Sequence, residues 1–112
     1  MGILDKTKYK GEINMTINKE ANGQELKIAL EGRLDTTTAP QLESECKASL
    51  DGVTDLTFDL EKLEYISSAG LRVLLTTQKT MNKQGSMKLI HVSETLMEIF
   101  EVTGFSDILT IE

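Results

Sequence analysis

"DLTFDLEKLEYISSAGLRVLL", residues 55–75, holds two periodicities in one stretch. Leu56, Phe58 and Leu60 alternate with Asp55, Thr57 and Asp59, the period of two that marks a strand with one buried face. From residue 68 the period changes. Leu71, Leu74, Leu75, Gln78 and Met81 recur at helical spacing, which predicts a helix over 68–84 that ends at Gly85. A strand that feeds a helix in this way points to an α/β fold. A strand buried on both faces would be apolar throughout. This one alternates, so the helices are expected mainly on one face of the sheet.

The neighbouring segments extend the pattern. Upstream, Ile13, Met15 and Ile17 alternate with polar residues, as do Leu26, Ile28 and Leu30. "KEANGQE" between them contains Asn22-Gly23, a turn dipeptide, so the two strands should form an antiparallel hairpin. "GRLDTTTAP", residues 32–40, then breaks the alternation. Thr38 and Gln41 resemble a capping box with Pro40 in the first turn, predicting a helix over 39–50 with Ala39, Leu42, Cys46 and Leu50 inward. Downstream, "MKLIHV" predicts a fourth strand. Thr95 and Glu98 match a second capping box, for a short helix through Leu96, Ile99 and Phe100 that stops at Gly104. "DILTIE" predicts a closing edge strand. The expected order is ββαβαβαβ, a single domain over 1–112 with its core at about 12–111. Strands joined through helices should be parallel, with right-handed crossovers.

Bulk properties narrow the function classes. The chain has 112 residues, 39% hydrophobic and 27% charged, with a formal charge of −6. Its basic residues are scattered, and such a surface repels phosphate backbones and anionic lipid, so neither nucleic acid nor membrane is an expected partner. No apolar run approaches the ~20 residues that span a bilayer. "MGILDKTKYK" has no hydrophobic signal core, and Lys6 stands where a myristoylation motif wants Ser or Thr. Cys46 is the single cysteine. It fits a reducing, cytoplasmic setting and reads as a small buried hydrophobe. "NMT" at 14–16 matches a glycosylation acceptor formally, but it lies in a strand pattern with no signal peptide before it.

Enzyme chemistry finds little support. A serine nucleophile needs a base beside it, and His91 is the only histidine. "SSAGL" also lacks the G-x-S-x-G elbow. One Cys, one His and no carboxylate cluster at ligand spacing argue against a metal. There is no glycine-rich phosphate loop, so no nucleotide cofactor is expected. Ser67 and Ser68 remain. One serine suffices to cap the helix. If Ser67 is that cap, Ser68 stands in the first turn, where a phosphate would be tolerated by the domain while adding about −1.5 to −2 charges to its surface.

Residues 55–75 resemble the phosphorylatable motif of the STAS-domain anti-sigma factor antagonists, a strand leading into (Asp)-Ser-(Ser/Thr/Ala)-Gly-Leu at a helix start. "LEGRLDTTTAPQLE" resembles the family's Gly-x-Leu-Asp turn before its first helix. "SETLMEIFEVTGFSDIL" is similar to its closing helix, Thr-Gly turn and last strand. The likeness runs from about residue 12 to 111. It implies a non-enzymatic protein that, unphosphorylated, binds an anti-sigma factor and releases a sigma factor. The implied partner is a serine kinase of the histidine-kinase-like ATPase fold, with a PP2C-type phosphatase resetting the switch. The implied phosphoacceptor is Ser68, two residues before Gly70, with Ser67 second; many members have Asp at the Ser67 position. The implied partner surface takes Arg33, Asp35, Thr36 and Thr37 from one loop. Ser67, Ser68, Ala69, Gly70 and Arg72 form the other part. Arg33 replaces an acidic residue common in the family. The alternative reading is a STAS module of another signalling scaffold, or of a transporter or lipid-transport complex.

Overall fold

The computed structural model describes residues 15–112, so Ile13 and the other expectations for 1–14 lie outside it. Strands β1 (Met15–Asn22) and β2 (Glu25–Leu34) form an antiparallel hairpin closed by the Asn22–Glu25 pair. The two-residue turn is therefore Gly23-Gln24, shifted by one from the predicted dipeptide. Gly23 adopts φ 65°, which a side chain would resist. Helix α1 (Ala39–Ser49) leads to β3 (Asp55–Ile66), and α2 (Ser68–Gln84) to β4 (Ser86–Ile90). Helix α3 (Glu94–Thr103) and a 3-10 turn (Phe105–Asp107) follow. The sheet order is β1-β2-β3-β4, with β2, β3 and β4 mutually parallel. The mixed sheet and parallel crossovers match expectation.

One face of the sheet forms the core. Leu26, Ile28 and Leu30 of β2, Leu56, Phe58 and Leu60 of β3, and Met87 and Leu89 of β4 are buried. They pack with Leu42 and Cys46 of α1, Leu71, Leu74 and Met81 of α2, and Leu96 and Phe100 of α3. Lys27 on the opposite face is exposed, and Asp55, Thr57 and Asp59 are half-buried. The helices therefore cover one face. Burial of the Cys46 thiol raises its pKa, as suits a packing residue.

Four local expectations need correction. Thr38 precedes α1, but its hydroxyl makes no bond to a helical N–H; it turns back into the loop, as described below. The cap of α3 is Ser93, whose hydroxyl accepts from Leu96 N–H at 3.2 Å, so the helix starts at Glu94 and not at the Thr95–Glu98 box. β4 stops at Ile90 because His91 turns to φ 57°, outside strand geometry. The closing strand is reduced to a bridge between Ile111 and Leu89, with Leu89 N–H donating to Thr110 O at 2.8 Å. The order is ββαβαβα plus that bridge.

β3 is longer than its alternating stretch. Ten residues of β2 face twelve of β3, and the two extra are absorbed by bulges between Ala29 and Glu31 and between Gly32 and Arg33. Beyond Leu60 the buried positions are Leu63 and Ile66, a spacing of three that hides the strand from a period-two reading. The bulges keep the strand paired up to Leu34–Ile66, so the turns after β2 and β3 emerge together.

Candidate functional site

The two emerging turns, Asp35–Thr38 and Ser67–Gly70, adjoin at one end of the sheet. Ser67 N–H donates to Leu34 O at 2.8 Å, linking them through the backbone. Gly70 lets α2 sit this close. A Cβ there would lie 2.6 Å from Leu34 Cγ and 2.9 Å from Ile66 Cγ1, closer than carbon atoms approach.

Side-chain oxygens hold the first turn shut. Asp35 Oδ1 accepts from Thr37 N–H at 3.0 Å, the Thr37 hydroxyl at 2.8 Å and Thr38 N–H at 3.3 Å. The hydroxyl of buried Thr38 donates to Arg33 O and accepts from Asp35 N–H, both at 2.8 Å. These bonds, led by that of the Thr37 hydroxyl, keep the Asp35 carboxyl below its ordinary pKa against a smaller desolvation effect. Arg33 is held over the Tyr65 ring, 4.5 Å from its centroid, with its Nε 3.7 Å from Asp35 Oδ2.

The second turn is open. Ser67, with φ −99° and ψ 176°, is the N-cap of α2, and its hydroxyl accepts from Gly70 N–H at 3.4 Å. Ser68 is the first helical residue. It is exposed, and its hydroxyl has no hydrogen-bond partner among the described residues. Ala69 is half-buried and Arg72 exposed. Ala69 and Arg72 face Thr36, Ala39 and Pro40 across a groove of about 280 Å³ between the starts of α1 and α2.

The structure thus brings both predicted loops to one surface. Two further residues shape that surface. Tyr65, 37% exposed, supplies the platform for Arg33, and Thr38 organises the loop from within. The bulged spacing of β3 conceals that Tyr65 stands opposite Arg33.

His91 lies elsewhere. Its Nδ1 is 2.8 Å from Asp59 Oδ1, midway along β3, roughly 25 Å from Ser67 at ~3.3 Å per strand residue. Among the described residues no base is hydrogen-bonded to either serine. Asp59, Glu61 and His91 do bring three ligand-type atoms within 4.8 Å of one another, a cluster that sequence spacing did not reveal. Lys27 Nζ lies 3.7 Å from Asp59 Oδ2. Burial pushes the Asp59 carboxyl up, but the bond to His91, the Glu61 N–H and the His91 and Lys27 charges together bring it below its ordinary pKa. Internal pairing accounts for the cluster.

The sequence model of the STAS domain family matches residues 13–112. The chain belongs to this family. It is 32% identical over 100 residues to the anti-sigma-B factor antagonist of Bacillus subtilis, covering 88% of this STAS chain and 92% of that protein. A crystal structure of an anti-sigma factor antagonist from Mycobacterium paratuberculosis superposes with a TM-score of 0.78 at 23% identity, over 87% of this chain and 84% of that one. SpoIIAA of Bacillus, solved in phosphorylated and unphosphorylated forms, gives TM-scores of 0.69 and 0.70 at 20% identity. Those matches cover 87% of this STAS chain, and 91% and 87% of the respective SpoIIAA chains. Among the described residues no helix is long and apolar enough to cross a membrane.

Proposed function

We propose that this STAS protein is an anti-sigma factor antagonist switched by phosphorylation of Ser68. The observation that carries the reading is the exposed Ser68 hydroxyl at the start of α2, without a partner among the described residues and beside a neighbour that already serves as the cap. In this reading the unmodified chain acts in the cytoplasm without catalysing a reaction of its own. It presents the Asp35–Thr38 and Ser67–Arg72 surface to an anti-sigma factor and so frees a sigma factor. The partner is also the serine kinase, of the histidine-kinase-like ATPase fold. The Ser68 oxygen attacks the γ-phosphorus of ATP, ADP leaves, and the hydroxyl proton passes to a base of the kinase. A PP2C-type phosphatase returns the serine by hydrolysis.

The relative in Bacillus subtilis named an anti-sigma-B factor antagonist supports this reading. So does SpoIIAA, whose two forms superpose on this chain almost equally well. The local physics agrees. A dianion at residue 68 meets the positive end of the α2 dipole and leaves the core untouched, yet it changes the charge of the docking surface. The test is intact-mass analysis and peptide mapping after incubation with the cognate kinase, ATP and Mg²⁺. One phosphoryl group on Ser68, abolished by Ser68→Ala, is expected, with Ser68→Asp weakening partner binding about tenfold. Transfer that persists in Ser68→Ala would move the site to Ser67 or elsewhere and overturn the assignment.

A further inference from the structure

We propose that Arg72 is the positioning residue for the phosphate: when Ser68 is phosphorylated, the Arg72 guanidinium pairs with it and holds it against the domain. This rests on the reading of Ser68 as the phosphoacceptor. Ser68 is the first residue of α2, and Arg72 follows four positions later. Residues at i and i+4 lie on one face of a helix, with Cβ atoms ~5–6 Å apart. Helical side chains lean toward the N-terminus, so the longer side chain at i+4 reaches back over residue i. The order of charges, anion first and cation second, is the favourable one along the helix dipole.

The two arginines of the chain are used differently. Arg33 stacks on Tyr65 and contacts the Asp35 carboxylate. Arg72 is exposed and makes no ion pair or hydrogen bond among the described residues. Glu43, which shares the groove with Arg72, lies 3.7 Å from Lys47 instead. The α2 sequence, "SAGLRVLLTTQKTMNKQ", contains no carboxylate to compete for the guanidinium. Before modification Arg72 is a cation with no ion pair among the described residues. After it, a planar guanidinium stands within reach of a phosphate whose oxygens it can engage two at a time. The pair neutralises part of the added charge and fixes the orientation of the phosphate.

The experiment is a ³¹P NMR pH titration of the full chain carrying genetically encoded phosphoserine at position 68, which needs no kinase. The second ionisation of phosphoserine falls near pH ~6. With Arg72 present it is expected about 0.15–0.4 pH unit lower than in Arg72→Ala, consistent with an exposed helical ion pair. Arg72→Lys should recover part of the shift, and 1 M salt should erase most of the difference. In each variant the same sample reports folding by its amide spectrum. Equal titration midpoints with and without the arginine would overturn the proposal. That result differs from failure of the Ser68 assignment, which appears only as absence of kinase-dependent phosphate at that residue.

Discussion

The turns after β2 and β3 lie side by side, yet they use their side-chain oxygens in opposite ways. In Asp35–Thr38 the Asp35 Oδ1 and both of the last two threonine hydroxyls are engaged within the turn or with the strand before it. In Ser67–Gly70, among the described residues, one hydroxyl makes a single 3.4 Å cap bond and the next makes none. A turn that satisfies itself fixes a surface shape. A turn that leaves a hydroxyl to solvent keeps a reactive group available. In the proposed switch the first supplies the frame, and the second would carry the chemistry. The contrast can be tested by damaging each turn separately.

The largest effect should come from the contact between them. Gly70→Val places branched carbon where Leu34 Cγ and Ile66 Cγ1 already stand, and neither is the mobile end of a side chain. The sheet or the helix must move, at a cost of about 3 kcal/mol. Thermal unfolding should shift down by roughly 10 °C or more, with partner binding lost as the turns separate. A shift of only a degree or two would mean that the junction is looser than its distances indicate.

Next is the closed turn. Thr38→Val keeps the shape of a buried side chain but removes the hydroxyl that joins Arg33 O to Asp35 N–H. Stability measured by urea unfolding should fall by roughly 1–3 kcal/mol, the cost of leaving those groups unpaired. The site should remain phosphorylatable, because Ser68 belongs to the other turn. Loss of phosphorylation with full stability would contradict the division of roles.

The same contrast explains what the sequence revealed. Period-two alternation in Leu26–Leu30 and Leu56–Leu60, and helical spacing from Leu71 to Met81, reflect burial repeated along an element, and each was correctly placed. The serine turn was legible because a cap and a first-turn residue are local to one helix start. Thr38 holds the N-cap position of α1 as expected, but a Thr-x-x-Gln spacing does not reveal that its hydroxyl has stronger partners at Arg33 and Asp35. Tyr65 under Arg33, and His91 against Asp59, depend on strand register. Register was displaced by two bulges that leave no periodic mark. The closing strand failed for a related reason: "DILTIE" has strand-like composition, but the 3-10 turn uses its first residue and leaves a single bridge.

The smallest effect is the most discriminating, because it separates two adjacent serines. Ser67→Ala deletes the oxygen that accepts from Gly70 N–H and should cost about 0.5–1 kcal/mol, the low end for a cap because 3.4 Å is a long bond. Ser68→Ala removes a hydroxyl without a partner among the described residues, and alanine suits a helical first turn, so stability should stay within about 0.5 kcal/mol. Phosphorylation should show the reverse order, persisting at residue 68 in Ser67→Ala and vanishing in Ser68→Ala. Paired urea curves and kinase assays on the two variants therefore form a crossed comparison. If Ser68→Ala proves the less stable of the two, the hydroxyls have exchanged tasks, and the phosphate would have to displace the cap of the helix that presents it.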